Sequence, residues 1–157
     1  MEKELIQNLI KELIEKTTIK TDKISVVENM GNNLWFCVEV KEPHFFIERE
    51  GEALHALNHL VRRMVEARTP LEQREESNTI LVDINDFQRK RVENIKAVAH
   101  MMGERARYFK SSIEVDPMSP FERRIVHEFL SGETDLKTES EGFGPSRRVV
   151  IKYIGAI

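Results

Sequence analysis

The segment Ser119-Pro120-Phe121-Glu122 pins a helix start to one place in the chain. A Ser followed three residues later by Glu is the capping-box pattern, in which hydroxyl and carboxylate satisfy amide groups that the first turn leaves without partners. Proline directly after the Ser takes the first helical position, where its missing N–H costs nothing and its fixed φ suits the helix. Onward from there Phe121, Ile125, Val126, Phe129 and Leu130 form an apolar stripe. Arg123 and His127 lie four residues apart beside that stripe, about 40° from each other around the axis. A guanidinium that stays charged, next to an imidazole that can donate or stack, suits a phosphate and an unstacked base. On spacing alone the plainer alternative is a half-buried His and a solvated Arg.

Upstream, the hydrophobic period changes several times. Leu5, Ile6, Leu9, Ile10, Leu13 and Ile14 recur at helical spacing, which predicts an amphipathic first helix. Ile24 to Glu28 and Leu34 to Val40 flank the turn cluster Met30-Gly31-Asn32-Asn33 and read as a β-hairpin. Alternation puts Leu34, Phe36, Val38 and Val40 on one face, with Trp35, Cys37 and Glu39 on the other. Trp35 could be a stacking platform, but a cover for the first helix is the more economical role. A second helix carries Leu54, Leu57, Leu60, Val61, Met64 and Val65 and stops at Arg68-Thr69-Pro70. A polar loop then leads to a strand over Thr79 to Ile84. The next helix starts near Asn85 to Gln88 and shows Phe87, Val92, Ile95, Val98, Ala99, Met102 and Ala106 as its apolar face. His100 falls among those positions and reads as packed. Ser112 to Val115 is a short strand. After the capped helix, which stops near Ser131-Gly132, a last hairpin joins Leu136 to Glu141 with Arg147 to Tyr153 through Gly142-Phe143-Gly144-Pro145.

Net charge decides how such a chain could meet a polyanion. With Lys+Arg 24 against Asp+Glu 27, the formal charge is −3, so any grip on nucleic acid must come from a local basic patch. The single cysteine, Cys37, excludes an internal disulfide framework and fits a reducing compartment. No apolar run approaches the ~18 residues a membrane span needs, and Met1-Glu2-Lys3-Glu4 opens no signal peptide. A cytoplasmic protein without membrane insertion is expected. His55 and His59 stand one helical turn apart, as zinc ligands do. Ala56 replaces the Glu of a zinc protease, and a third ligand would have to be His44 or Glu52, so no metal site is expected. No phosphate-cradling glycine loop, nucleophile elbow or paired acid and base can be identified, and no catalysis or cofactor is expected.

Several separated segments carry a resemblance to a known domain. Pro117-Met118-Ser119-Pro120-Phe121-Glu122-Arg123-Arg124-Ile125-Val126-His127, then Ser140-Glu141-Gly142, then Arg147-Arg148-Val149-Val150-Ile151 closely resemble the R-3-H domain, which binds single-stranded nucleic acid. The resemblance implies that the Arg at the start of the last strand lies near the Arg/His helix. Arg123, with Arg124 beside it, would then contact phosphate, His127 would stack or donate, and Arg147, Arg148 and Lys152 would steer the backbone. Arg147 and Arg148 enter that strand on opposite faces, so at most one of them shares the face used by Arg123 unless a bulge intervenes. The first part resembles a K-homology domain of the second topological type, whose Gly-x-x-Gly loop admits sugar and phosphate between two helices. Here the loop is Glu48-Arg49-Glu50-Gly51. Glu48 replaces the first glycine, and Glu48, Glu50 and Glu52 put negative charge where a phosphate would lie; Arg49, Gly51, Arg62 and Arg63 are secondary candidates for contact.

Together these features imply an α+β protein: a K-homology-like α-β-β-α-α-β domain over residues 1–86 and an R-3-H domain over 87–157, the latter a small antiparallel sheet with helices on one face. A bridging helix over 87–107 would make the linker rigid. Over nearly its whole length the chain resembles the Jag (SpoIIIJ-associated, KhpB-like) family of bacterial RNA-binding proteins. Some members carry a further N-terminal domain, which this chain is expected to lack. The resemblance implies post-transcriptional regulation through single-stranded RNA or DNA, linked in parts of the family to cell elongation and division. A second small K-homology protein, or a homodimer, is an implied partner. The alternative from another class is a protein-interaction module whose nucleic-acid binding is vestigial.

Overall fold

The computed structural model describes residues 3–30, 33–71 and 79–155. Packing divides the chain into two units, residues 1–89 and 90–157. The expected turn at residues 31 and 32 and most of the polar loop before the third strand, residues 72–78, lie outside the described residues.

In the first unit, α1 (Lys3–Lys16) is followed by β1 (Thr21–Met30) and β2 (Asn33–Val40), paired antiparallel. Helix α2 (His44–Arg68) then crosses over to β3 (Ile80–Ile84), which runs parallel to β2, giving the sheet order β1-β2-β3. Helical backbone is interrupted inside α2, where Arg49, Glu50 and Gly51 all take positive φ. Counting the two sides of that break separately gives the α-β-β-α-α-β order expected from the sequence. The core is the face predicted by alternation: Phe36, Val38 and Val40, with Val82 and Ile84, pack on Ile6, Ile10 and Ile14 of α1 and Leu54, Val61 and Val65 of α2. Trp35 departs from expectation. It is buried, but it stands in register with Val27 and Leu81 on the face opposite Phe36, away from α1, because strand neighbours alternate sides.

Side-chain amides complete this sheet. Strand β3 lies at its edge, and the Asn58 amide on α2 accepts from the Val82 N–H (2.7 Å) and donates to the Val82 carbonyl (2.9 Å), much as a further strand would. Asn85 does the same beyond the end of β3, accepting from Val40 N–H and donating to its carbonyl, each at 2.9 Å. Its positive φ of 48° is one that Asn tolerates better than most residues. Both oxygens of the buried Asp83 side chain accept amide protons at the start of the next helix, from Gln88 (2.8 Å) and Arg89 (3.1 Å).

That helix, α3 (Phe87–Phe109), runs unbroken from the end of the first unit into the second. There β4 (Ile113–Glu114), α4 (Pro120–Leu130), β5 (Leu136–Glu141) and β6 (Arg148–Tyr153) follow, the strands forming an antiparallel sheet in the order β4-β6-β5. Val92, Ala99 and Ala106 of α3 are buried, a spacing of seven that keeps them on one line. A side chain at Gly103 would meet Leu136 Cδ1 at 3.1 Å, so small residues let this helix approach β5 closely. His100, expected to be packed, is exposed, because it stands about 100° around the axis from Ala99. Val98 is also partly exposed. Near the end of α3, Arg107 grips Asp135 with two hydrogen bonds, its Nε one of them (2.6 Å), and also pairs with Glu104 and Glu133. Those partners raise the guanidinium's pKa and hold the Asp135 carboxyl below its ordinary value.

Candidate nucleic-acid interface

Helix α4 starts where the sequence places it. Ser119 Oγ accepts from the Glu122 amide (3.3 Å), and Glu122 Oε2 accepts from the Ser119 amide (2.8 Å). The other oxygen of Glu122 accepts from Arg91 Nε on α3 at 2.7 Å. Burial disfavours charge on this carboxylate, but the Ser119 groups and Arg91 outweigh it and leave the pKa below the ordinary value. Ile125, Val126 and Leu130 are buried, whereas Phe121 and Phe129, at the margins of the expected stripe, stay partly exposed.

The stripe faces the sheet, and the sheet's two sides differ in charge chemistry. Val149 and Ile151 point into the core with Val126 and Leu130. Alternation therefore sends Arg148 and Lys152 to the other side, where Glu139 and Glu141 stand on β5. Arg148 pairs with Glu114 at 3.0 Å, while Lys152 pairs with Glu139 and, at 3.4 Å, with Glu141. Glu139 and Glu141 raise the Lys152 pKa. Both cations are thus committed to carboxylates. Arg147 precedes β6 by one residue and shares the parity of Val149, the side carrying α4. Its carbonyl accepts from the Met118 amide (3.2 Å), which anchors it beside the approach to Ser119. Arg147 is extended (φ −67°, ψ 133°), so the alternation of β6 carried back one residue gives Arg147, not Arg148, to the helix side.

The side chains of Arg123, Arg124 and Arg147 have no hydrogen-bond or ion-pair partner among the described residues. Arg123 is half-exposed and the other two are exposed. His127 is held differently from Arg123. Its Nδ1 lies 2.7 Å from Thr138 Oγ1 and its Nε2 2.9 Å from Ser140 Oγ, two hydroxyls on the helix side of β5. A neutral ring, donating from one nitrogen and accepting at the other, satisfies both, and it clamps α4 to β5. The partners Thr138 and Ser140 escaped the sequence reading, although their alternation on one strand was visible. Burial first, and the charge of Arg123 second, push the His127 pKa below 6.5.

That shift has a testable sign. As pH falls through about 6.5, an unfolded chain protonates this residue while the folded one does not, so the equilibrium moves toward unfolding until the lower folded pKa is reached. The His127 ring is expected to titrate by NMR below 6.5; titration at or above that value would show that the clamp is open.

The residues of the other loop are arranged less favourably. Arg49 lies 3.9 Å from Glu52, Arg63 pairs with Glu66 at 2.9 Å, and Arg62 is half-buried. Gly51 is needed for its own conformation, φ +82°, and because a Cβ there would fall 2.8 Å from the Phe87 ring. Glu48, by contrast, has ordinary extended backbone with φ −61° and ψ 159°; its side chain is exposed and adds bulk and charge at the loop. His55 and His59 are both exposed on α2, and among the described residues no group of three His, Cys, Asp or Glu is placed to hold a metal. No helix among the described residues is long and apolar enough to cross a membrane.

Residues 93–153 match the R-3-H domain. The chain is similar to the RNA-binding protein KhpB of Clostridium symbiosum, with 30% identity over 107 residues, covering 67% of this chain and 45% of the relative. It is 31% identical over 109 residues to the RNA-binding protein KhpB of Bacillus subtilis, covering 68% and 50%. For the protein of the same name from Streptococcus pneumoniae serotype 2 the figures are 29% over 116 residues, 73% and 33%. The matched part spans half or less of the length of these curated relatives.

Proposed function

From the premise that residues 93–153 form an R-3-H domain, we propose that the chain binds single-stranded nucleic acid, RNA foremost, without catalysis. One observation carries this reading: Arg123 and Arg147 come to the same side of the β4-β6-β5 sheet and have no carboxylate partner among the described residues, while Arg148 and Lys152 on the other side are neutralised. An unpaired guanidinium retains its full donor fork for a phosphate. Arg124, next to Arg123 on α4, adds positive potential. His127 acts mainly as a positioning residue, since contact with a base would cost it one of its hydroxyl partners. The names of the relatives, RNA-binding proteins, support RNA as the ligand; post-transcriptional regulation in the cytoplasm is the role we propose with it.

Fluorescence anisotropy with a labelled single-stranded oligoribonucleotide tests the proposal. Binding is expected to be weak and to fall with salt along a shallow slope, about 0.7 in log K per log salt for each phosphate held. A duplex of the same sequence is expected to bind less well. Equal affinity for the duplex would contradict the reading.

A second reading concerns the first unit. The acidic Glu48-Arg49-Glu50-Gly51 loop, with Arg49 close to Glu52, supports a K-homology-like fold that holds a partner in place of RNA, either a small K-homology protein or a second copy of this chain. Light scattering that gives a dimer sensitive to substitution at this loop would favour it.

A further inference from the structure

Phe143 stands 89% exposed, more than any other large apolar side chain among the described residues. Solvent exposure of a phenyl ring stabilises nothing in the fold, and burial of Val126, Val149 and Ile151 completes the core without it. The main chain beneath the ring is nevertheless tied down. The Phe143 carbonyl accepts from Ser146 N–H (3.3 Å) and from Ser146 Oγ (2.8 Å), and the Gly144 carbonyl accepts from the Arg147 amide (3.2 Å). Gly144 to Ser146 form a single 3₁₀ turn that includes Pro145, and Gly142 at φ +92° folds the tip so tightly that a Cβ there would lie 3.3 Å from Arg147 Cα. The hairpin therefore presents an aromatic face on a fixed mount, four residues from an arginine whose side chain has no partner among the described residues.

Resting on the single-strand reading above, we infer that Phe143 is a base-stacking platform, which receives the base of a nucleotide whose phosphate is held by Arg147. An aromatic ring accepts any base, because every base has a π face, so this contact adds affinity for unpaired strands without selecting a sequence. It would also explain discrimination against a duplex, whose bases are already stacked on one another. The arginines would hold the backbone and the phenyl ring would sense that the base is free.

The experiment compares a fluorescent oligouridylate with an abasic oligomer of equal length, binding to the full chain and its variants. Phe143→Ala is expected to weaken oligouridylate binding about tenfold, within the range of one lost base–aromatic stack, and to leave the abasic oligomer unaffected. Phe143→Trp is expected to retain affinity and to add a fluorescence signal quenched by the oligouridylate. If Arg123→Ala and Arg147→Ala weaken both oligomers while Phe143→Ala changes neither, stacking is overturned and the single-strand reading stands. If the wild-type chain binds neither oligomer, both fall together. If Phe143→Ala leaves RNA binding intact and instead turns a dimer into a monomer in light scattering, the ring belongs to a protein interface and the inference is wrong.

Discussion

Replacing Arg123 and Arg147 together with alanine is expected to weaken binding of an unstructured RNA by about one to two orders of magnitude, the loss anticipated for charge-assisted hydrogen bonds to phosphate. The slope of log K against log salt should become shallower by about 0.7 for each phosphate contact removed. Neither side chain supports the fold, since among the described residues neither has a hydrogen-bond or ion-pair partner, so thermal unfolding should be unchanged. Arg148→Ala with Lys152→Ala is the informative contrast. Those cations already face Glu114, Glu139 and Glu141, and RNA would have to displace these carboxylates to reach them. Their removal should weaken binding much less. Equal losses from the two pairs would move the interface to the other side of the sheet.

The second large effect is on stability. Asn58→Ala is expected to destabilise the first unit by about 3 kcal/mol, because it leaves the Val82 N–H and carbonyl buried without hydrogen bonds. Asn58 is 4% exposed, so water cannot readily replace the amide. The same side chain also donates to the Leu54 carbonyl at 3.0 Å, tying the edge of the sheet to α2. Set against a typical domain stability of about 5–15 kcal/mol, the loss is large. Asn58→Asp keeps an acceptor for Val82 N–H but removes the donor, and should also destabilise. Trp35, the only tryptophan in the chain, reports unfolding of this unit in a urea titration. The exposed neighbour substitution His59→Ala should stay within about 0.5 kcal/mol of wild type. A free energy for Asn58→Ala equally close to wild type would mean that the strand edge tolerates being open.

Most of the fold was legible because its signals are short in range. Ser119 and Glu122 lie three residues apart, and the capping box they form fixes where α4 begins whatever the rest of the chain does. Alternation over Leu34 to Val40 identified the core face of β2, and helical spacing identified the lines of α1 and α2 that are buried. The errors came from positions where the face alone was not enough. His100 lay next to a buried residue in sequence but around the corner of the helix. A large apolar residue such as Trp35 needs a cover, which suggests α1, yet strand parity places it on the other side.

The candidate site divides the same way. The sequence by itself determined that Arg123 and His127 project together from one capped helix, and that Arg147 and Arg148 point to opposite faces unless a bulge intervenes. It could not say which cations remain available, because that depends on partners far away in the chain: Glu114 for Arg148, Glu139 for Lys152, Thr138 and Ser140 for His127. Strand pairing brings those groups together, and charge is neutralised by whatever lies within a few ångströms in space, regardless of separation along the chain. Only the tertiary structure therefore decided that Arg123 and Arg147 have no carboxylate partner among the described residues, while equally basic neighbours spend their charge inside the fold.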